Sequence, residues 1–341
     1  MIRYDKQKVY IQALNQSLWG AVFLDRNLAM EFVRATEAAA LSSARWVGKG
    51  DNKAADNAAV EAMRHFFNNV DIQGTVVIGE GERDEAPMLY IGEKLGTGKG
   101  AKIDIAVDPL EGTTITAKGG PNALSVLAAA PGGSMLHAPD TYMDKIAVGS
   151  EAKGAVDLDA SVKENVEAVA AKLKKDIEEV TVIILERDRH QKLIEEVRKC
   201  GCRIILIPDG DIAGALAPAI PDSGIDLLLG IGAAPEGVIA AAGLKCLGGE
   251  IQGRLKFRNE EEKARAKKMG VKDLNMKFGT DDLVRSNEAL FAATGVTNGT
   301  ILRGVNFTCD GAVTHSIVMR SKTKTVRFIE GHHKFEHFPE F

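Results

Sequence analysis

The sequence predicts an α/β protein with two sheet-containing halves, on three observations. The chain has 341 residues, 45% hydrophobic and 26% charged, longer than the roughly 250–300 residues over which a single core keeps growing. Its apolar residues are aliphatic rather than aromatic, with aromatics at 5% and 35 glycines, which suits helix and sheet layers joined by tight turns. Short apolar runs alternate with helical stretches beyond residue 180. That residue is taken as the boundary between an N-terminal α+β half, 1–180, and a C-terminal α/β half with returning strands, 181–341.

In chain order, apolar residues at helical spacing (Phe32, Ala35, Ala39, Trp46) predict a helix from Leu28 to Val47, stopped by Gly48, and a second runs from Ala54 to Phe67. Thr75–Ile78 and Lys102–Val107 read as strands that end where acidic residues begin, a usual place for chemistry. Asn122–Ala129 is a third strand. Ser161 and Glu164 match a capping box that opens a long helix to Val180. Thr181–Leu185, Cys202–Ile207 and Ile225–Leu229 are continuous apolar strands separated by helices at Arg189–Lys199 and Ile212–Leu216, the pattern of a mostly parallel, doubly covered sheet. Helices at Pro235–Leu247 and Glu260–Met269 follow, then strands at Ala289–Ala293, Thr300–Phe307, Ala312–Met319 and Thr325–Ile329.

A net charge of -4 gives no general basic field, so nucleic acid is not an expected partner. Runs such as Val180–Leu185 are far shorter than the ~20 residues that span a bilayer, and Met1–Leu24 lacks the apolar core of a secretory signal. No membrane association and a cytoplasmic location are expected. Cys200, Cys202, Cys246 and Cys309 fit no zinc spacing and read as reduced core thiols. Gly96–Gly100 lacks the Gly-Lys-Ser/Thr of a phosphate loop, and Gly230-Ile231-Gly232 departs from a dinucleotide fingerprint.

Five carboxylates stand out by context: Asp56 near a helix start, Glu80 in Gly-Glu-Gly-Glu, Asp108 and Glu111 in Asp-Pro-Leu-Glu-Gly-Thr, and Glu236 in Ala-Pro-Glu-Gly. Each alone also reads as a cap, a turn or a solvated loop. Should they converge, a cation is the simplest neutraliser, and oxygen ligands, including the Leu110 carbonyl, select hard ions such as Mg²⁺ or Mn²⁺. Thr113 and Asp84 are the expected pair for activating water, with Thr113 also a candidate helix cap and Asp84 a candidate surface partner of Arg83 or Lys53. Arg187, Arg189 and His190 follow a strand and suit a phosphate grip. Asp209 and Asp211 flank Gly210, where they suit sugar hydroxyls or a plain turn, and Tyr142 suits a phosphate or the core.

Taken together, Gly50-Asp51 with Ala55-Asp56, Ile78–Glu82 with Asp84–Leu89, Asp108–Thr113 and Gly230–Gly237 resemble the class II fructose-1,6-bisphosphatases, in the family's order and from about Leu28 to about Ile329. One segment departs: Gly50-Asp51-Asn52-Lys53 stands where the family reads Gly-Asp-Lys-Asn. The resemblance implies the layered α-β-α-β-α sugar-phosphatase fold and metal-dependent removal of the 1-phosphate from fructose 1,6-bisphosphate, with sedoheptulose 1,7-bisphosphate as a further substrate. It implies two or more ions, Mg²⁺ or Mn²⁺, on Asp56, Glu80, Asp108, Leu110, Glu111 and Glu236. It implies substrate contacts at Glu111, Gly112, Thr113, Tyr142, Arg187, Asp188, Arg189, Asp209, Gly210, Asp211 and Ala233, and a homo-oligomer, dimer or tetramer. The competing readings are an inositol or nucleotide monophosphatase on the same metal platform, and a non-catalytic sugar-phosphate sensor.

Overall fold

The computed structural model describes residues 27–81 and 88–335. Helices α1 (Leu28–Ala44) and α2 (Asn52–Phe67) come first, and Asp51 caps α2 by accepting the Ala54 N–H at 2.9 Å. Strands β1 (Ile72–Ile78), β2 (Lys94–Leu95), β3 (Ala101–Glu111) and β4 (Leu124–Pro131) follow, with the short helix α3 (Thr113–Lys118) between the last two. Next come β5 (Tyr142–Val148), α4 (Val162–Leu173), β6 (Thr181–Leu185), α5 (Gln191–Cys200), β7 (Arg203–Ile207), α6 (Asp211–Leu216), β8 (Leu227–Ala233) and α7 (Ala234–Leu247). The chain continues through β9 (Glu250–Lys256), α8 (Glu260–Lys268), β10 (Phe278–Gly279), α9 (Thr280–Leu283), β11 (Leu290–Gly295), β12 (Asn306–Thr308), β13 (Gly311–Arg320) and β14 (Thr325–Lys334).

Two sheets result. The first has the order β12-β13-β11-β4-β3-β1-β2, with β14 on the other side of β13; the second runs β10-β9-β5-β8-β6-β7. Three buried clusters define the layers. On the outer face of the first sheet, Phe32, Val33, Ala59 and Met63 of α1 and α2 pack on Ile103, Ile105 and Leu127. Between the sheets, Ile212, Val238 and Ile239 of α6 and α7 meet Ala106 and Val126 on one side and Leu228 and Ile251 on the other. Beyond the second sheet, Val166, Val169, Ile194 and Val197 of α4 and α5 cover Ile146, Val182 and Ile184. The molecule is therefore an α-β-α-β-α sandwich, because alternate residues of each buried strand serve different layers.

Several expectations need correction. The second sheet is mixed rather than mostly parallel: β6 pairs in parallel with β7 and β8, but β5 runs antiparallel to β8 and β9. Sheet membership does not follow a division at 180, since β5 belongs to the second sheet and β11–β14 return to the first. The helix opened by the Ser161–Glu164 capping box stops at Leu173, where Lys174 turns left-handed at φ 56°. Thr300–Phe307 is strand only from Asn306, because the stretch before it turns back: Gly299 N–H bonds Leu302 O at 2.9 Å and Thr300 N–H bonds Asn122 Oδ1 at 2.8 Å. Cys309 is exposed rather than a core thiol. Among the described residues no helix is long and apolar enough to cross a membrane.

Candidate active site

A bulge on β3 sets the site. Asp108 pairs with Val126 and Glu111 with Leu124, so three steps on β3 oppose two on β4. Residues three apart on a regular strand face opposite ways; the extra residue turns Asp108 and Glu111 to one side. That side is the one on which Leu124 and Val126 enter the core between the sheets. Leu110, within the bulge, buries its side chain on the opposite, outer face.

The other carboxylates reach the same place from separate elements. Glu80 lies two residues beyond β1, held by its N–H on Leu89 O at 3.0 Å. Gly79 permits that approach, since a Cβ there would stand 2.0 Å from the Leu89 carbonyl. Glu236 occupies the first turn of α7, started by Pro235 and tied down by the Ala234 N–H on Thr141 O at 2.8 Å. Asp56 lies in α2, half-buried. A cleft of about 310 Å³ is lined by Glu80, Asp108 and Glu236 with Ala233, Asp140 and Arg265.

The electrostatics confirm that these groups crowd one another. Burial, then Asp56 and Glu236, push the Glu80 carboxyl up to about 8. Asp108 is raised well above the usual carboxylate range by burial and by Glu80, Glu111, Glu236 and Asp56. Burial also raises Glu111, opposed by the Ile212 N–H that it accepts and reinforced by Asp211, Glu236 and Asp209. Burial brings Glu236 to about 7, with Lys145 working against the rise, and burial raises Asp56. Oε2 of Glu111 and Oε2 of Glu236 are buried without a hydrogen-bond partner. Buried anionic oxygens left unpaired are costly, and an all-oxygen donor set is what hard divalent cations take. The chemistry of this donor set thus fits such ions, although among the described residues no group of three or more His, Cys, Asp or Glu side chains is arranged to hold one.

The remaining predicted residues divide. Gly112, left-handed at φ 91°, turns the chain from β3 into α3, whose first residue is the half-buried Thr113. Asp84 lies outside the described residues. Arg187 is engaged with the Pro208 carbonyl and, at 3.4 Å, with Asp209, while Asp188 is exposed. Arg189 donates to Ile231 O at 2.8 and 3.0 Å and lies 4.7 Å from the Tyr142 ring centre; Arg258 stacks on the same ring at 5.2 Å. His190 is no phosphate grip. It is buried, its Nδ1 meets Leu185 O at 2.6 Å and its Nε2 accepts the Ile231 N–H at 2.8 Å, so both ring nitrogens are used in tying β6 to β8. Gly210, at φ 94°, starts α6, and Asp211 after it is buried and ion-paired with Lys145.

Sequence reasoning missed Lys145, Asp140, Arg258 and Arg265. For Lys145 the signal was slight: a lysine inside the unnoticed strand β5, where adjacent Asp144 and Lys145 break the apolar run. His333 reaches inward to Thr314 Oγ1 at 2.9 Å, whereas His332 is exposed.

Residues 26–333 match the family model described as bacterial fructose-1,6-bisphosphatase, glpX-encoded. The chain is 47% identical over 321 residues to fructose-1,6-bisphosphatase 1 class 2 of Escherichia coli strain K12, covering 90% of this chain and 95% of that protein. The same identity and coverage hold against the fructose-1,6-bisphosphatases class 2 of Escherichia coli O6:H1 and of Shigella flexneri.

Proposed function

The chain belongs to the bacterial fructose-1,6-bisphosphatase family, glpX-encoded, and on that premise we propose that it hydrolyses the 1-phosphate of fructose 1,6-bisphosphate to fructose 6-phosphate and phosphate in gluconeogenesis. It is a phosphoric monoester hydrolase. The observation that carries the reading is the gathering of Glu80, Asp108 and Glu236, from three elements, at one cleft, with Glu111 acting on Asp108 beside it and two carboxylate oxygens, of Glu111 and Glu236, unpartnered. The cations would be two or more Mg²⁺ or Mn²⁺, and the residues that would hold them are Asp56, Glu80, Asp108, Leu110, Glu111 and Glu236. Such ions acidify water and neutralise charge on the attacking and leaving oxygens of an in-line displacement.

The protein's own groups do the rest. The Ile212 N–H holds one oxygen of Glu111 and leaves the other for the site. Thr113, at the start of α3, and Asp84 are assigned to orienting the attacking water, which strikes phosphorus directly without a phosphoenzyme. Gly112 and the Ala233 backbone border the substrate. Arg187 and Arg189 with Tyr142 hold the phosphate that stays, with Asp188 between them on the substrate side; the Arg189 guanidinium already lies over the Tyr142 ring, which limits its rotamers before substrate arrives. Asp209, Gly210 and Asp211 face the sugar hydroxyls. The same proposal places the enzyme in the cytoplasm as a dimer or tetramer of identical chains.

Phosphate release by purified protein tests this reading. With Mn²⁺ or Mg²⁺, fructose 1,6-bisphosphate should be turned over far faster than inositol monophosphate. Folded, metal-supplied protein that leaves fructose 1,6-bisphosphate intact would falsify it.

A further inference from the structure

The most heavily buried charge near the cleft is a lysine with no part in the reaction as described so far. Lys145 lies on β5 and is 2% exposed. Its Nζ is ion-paired with Asp211 Oδ2 and donates to the Ala233 carbonyl at 2.9 Å. Those two partners belong to different parts of the site. Asp211 opens α6 after β7, one residue before the N–H that holds Glu111. Ala233 ends β8, three residues before Glu236.

The surroundings are shaped around this pair. Gly232 sits where any Cβ would stand 1.8 Å from Asp211 Oδ2, and a Cβ on Gly237 would meet Met143 Sδ at 2.7 Å and Lys145 Cδ at 3.4 Å. Two glycines thus leave room for the lysine and its carboxylate. An ammonium buried to this degree is unfavourable unless paired and hydrogen-bonded, and here it is both.

We propose that Lys145 is a positioning residue for the reaction, fixing Asp211 on the sugar side and the Glu236 turn on the metal side at one separation. The inference rests on the function proposed above, in which Asp211 receives a sugar hydroxyl and Glu236 a cation. One ammonium shared between an acceptor on each side keeps both in place before either ligand arrives, which lowers the ordering cost of binding.

The test compares wild type, Lys145→Met, Asp211→Asn and the double variant by thermal melting and by kinetics with fructose 1,6-bisphosphate and Mn²⁺. Lys145→Met should raise both KM and the Mn²⁺ concentration for half-maximal rate about tenfold or more, as expected for loss of a hydrogen bond to a charged group. It should also melt earlier, since it leaves a buried carboxylate unpaired. The double variant has no unpaired charge and should recover much of the melting temperature, while its Mn²⁺ requirement stays raised above that of Asp211→Asn, in which Lys145 still holds the Ala233 carbonyl. A merely structural lysine predicts that the stable double variant matches Asp211→Asn in Mn²⁺ dependence as well as in KM, which loss of the sugar contact raises in both. Either that match, or a folded Lys145→Met variant with wild-type constants, overturns the assignment. If Lys145→Met does not fold, the double variant set against Asp211→Asn decides. An inactive wild type would instead sink the parent reading, and this one with it.

Discussion

The two faces of the first sheet both bury polar side chains, which are mostly paired on the outer face, Ser125 Oγ excepted, and crowded by like charge at the inner cleft. On the outer face Thr36 Oγ1 meets Thr294 Oγ1 at 2.8 Å and Thr294 meets Ser316 Oγ at 2.8 Å. Beside them Thr314 donates to Glu37 Oε1 at 2.9 Å and lies 2.9 Å from His333 Nε2. Each of these groups has a neighbour of complementary character, which fixes α1 on the sheet. On the inner face carboxylates crowd against carboxylates, and two of their oxygens have no partner. Strand β3 repeats the contrast within itself: buried Asp104 accepts the Met135 N–H at 3.0 Å, while Asp108, on the same face, is met chiefly by other acids. Satisfied buried polarity holds a fold together; unsatisfied buried charge of one sign marks where a ligand of the other sign belongs.

The strongest way to break this contrast is to neutralise the inner face. Glu111→Gln or Glu80→Gln should lower turnover of fructose 1,6-bisphosphate by about a hundred- to a thousandfold. The metal-free melting temperature should hold or rise, because Gln is neutral at every pH and escapes the cost of keeping a carboxyl protonated in the fold; a large fall would make these residues structural, like those outside.

Next in size is the response to metal. Mn²⁺ at about 100 times its dissociation constant should stabilise wild type by about 2.7 kcal/mol, read from denaturant midpoints, and should do little for a Glu80→Gln, Glu111→Gln double variant. Equal stabilisation of both would place the ions elsewhere.

Acidity sharpens the comparison further. Glu80 at about 8 and Glu236 at about 7 are raised from an ordinary 4.5. In the metal-free protein they therefore keep protons that the unfolded chain has lost, so stability falls as pH rises from about 4.5 through 8. Bound metal favours the ionised forms and should flatten that slope. Melting curves across this range, with chelator and with Mn²⁺, would show it, and parallel slopes would count against the inner cluster as the ion site. The smallest effect belongs to the outer face, where Thr294→Val should cost about 1 kcal/mol of stability with kcat unchanged.

Much of this was legible in the sequence where local chemistry decides the outcome. Thr181–Leu185 forms a strand over the expected span, the Ser161–Glu164 capping box is present, and acidic residues do follow β1 and lie in β3. What escaped depends on distant partners. Strand β5 went unnoticed because Asp144 and Lys145 look solvent-facing until Asp211 and the Ala233 carbonyl arrive from other segments to receive the lysine. His190 looked like a phosphate ligand beside two arginines, but its role is set by the carbonyl and amide of two strands. The bulge that turns Asp108 and Glu111 to one face follows from pairing with β4, and Pro109 alone does not announce it.

Anomalous diffraction from Mn²⁺-soaked crystals of the active protein is the most direct test of the inner cluster. Manganese peaks at direct coordination distance, longer than the roughly 2.1 Å of Mg²⁺, from carboxylate oxygens of Asp108, Glu111 and Glu236 are the predicted result. Manganese bound only at other residues, in crystals whose protein still releases phosphate, would contradict it.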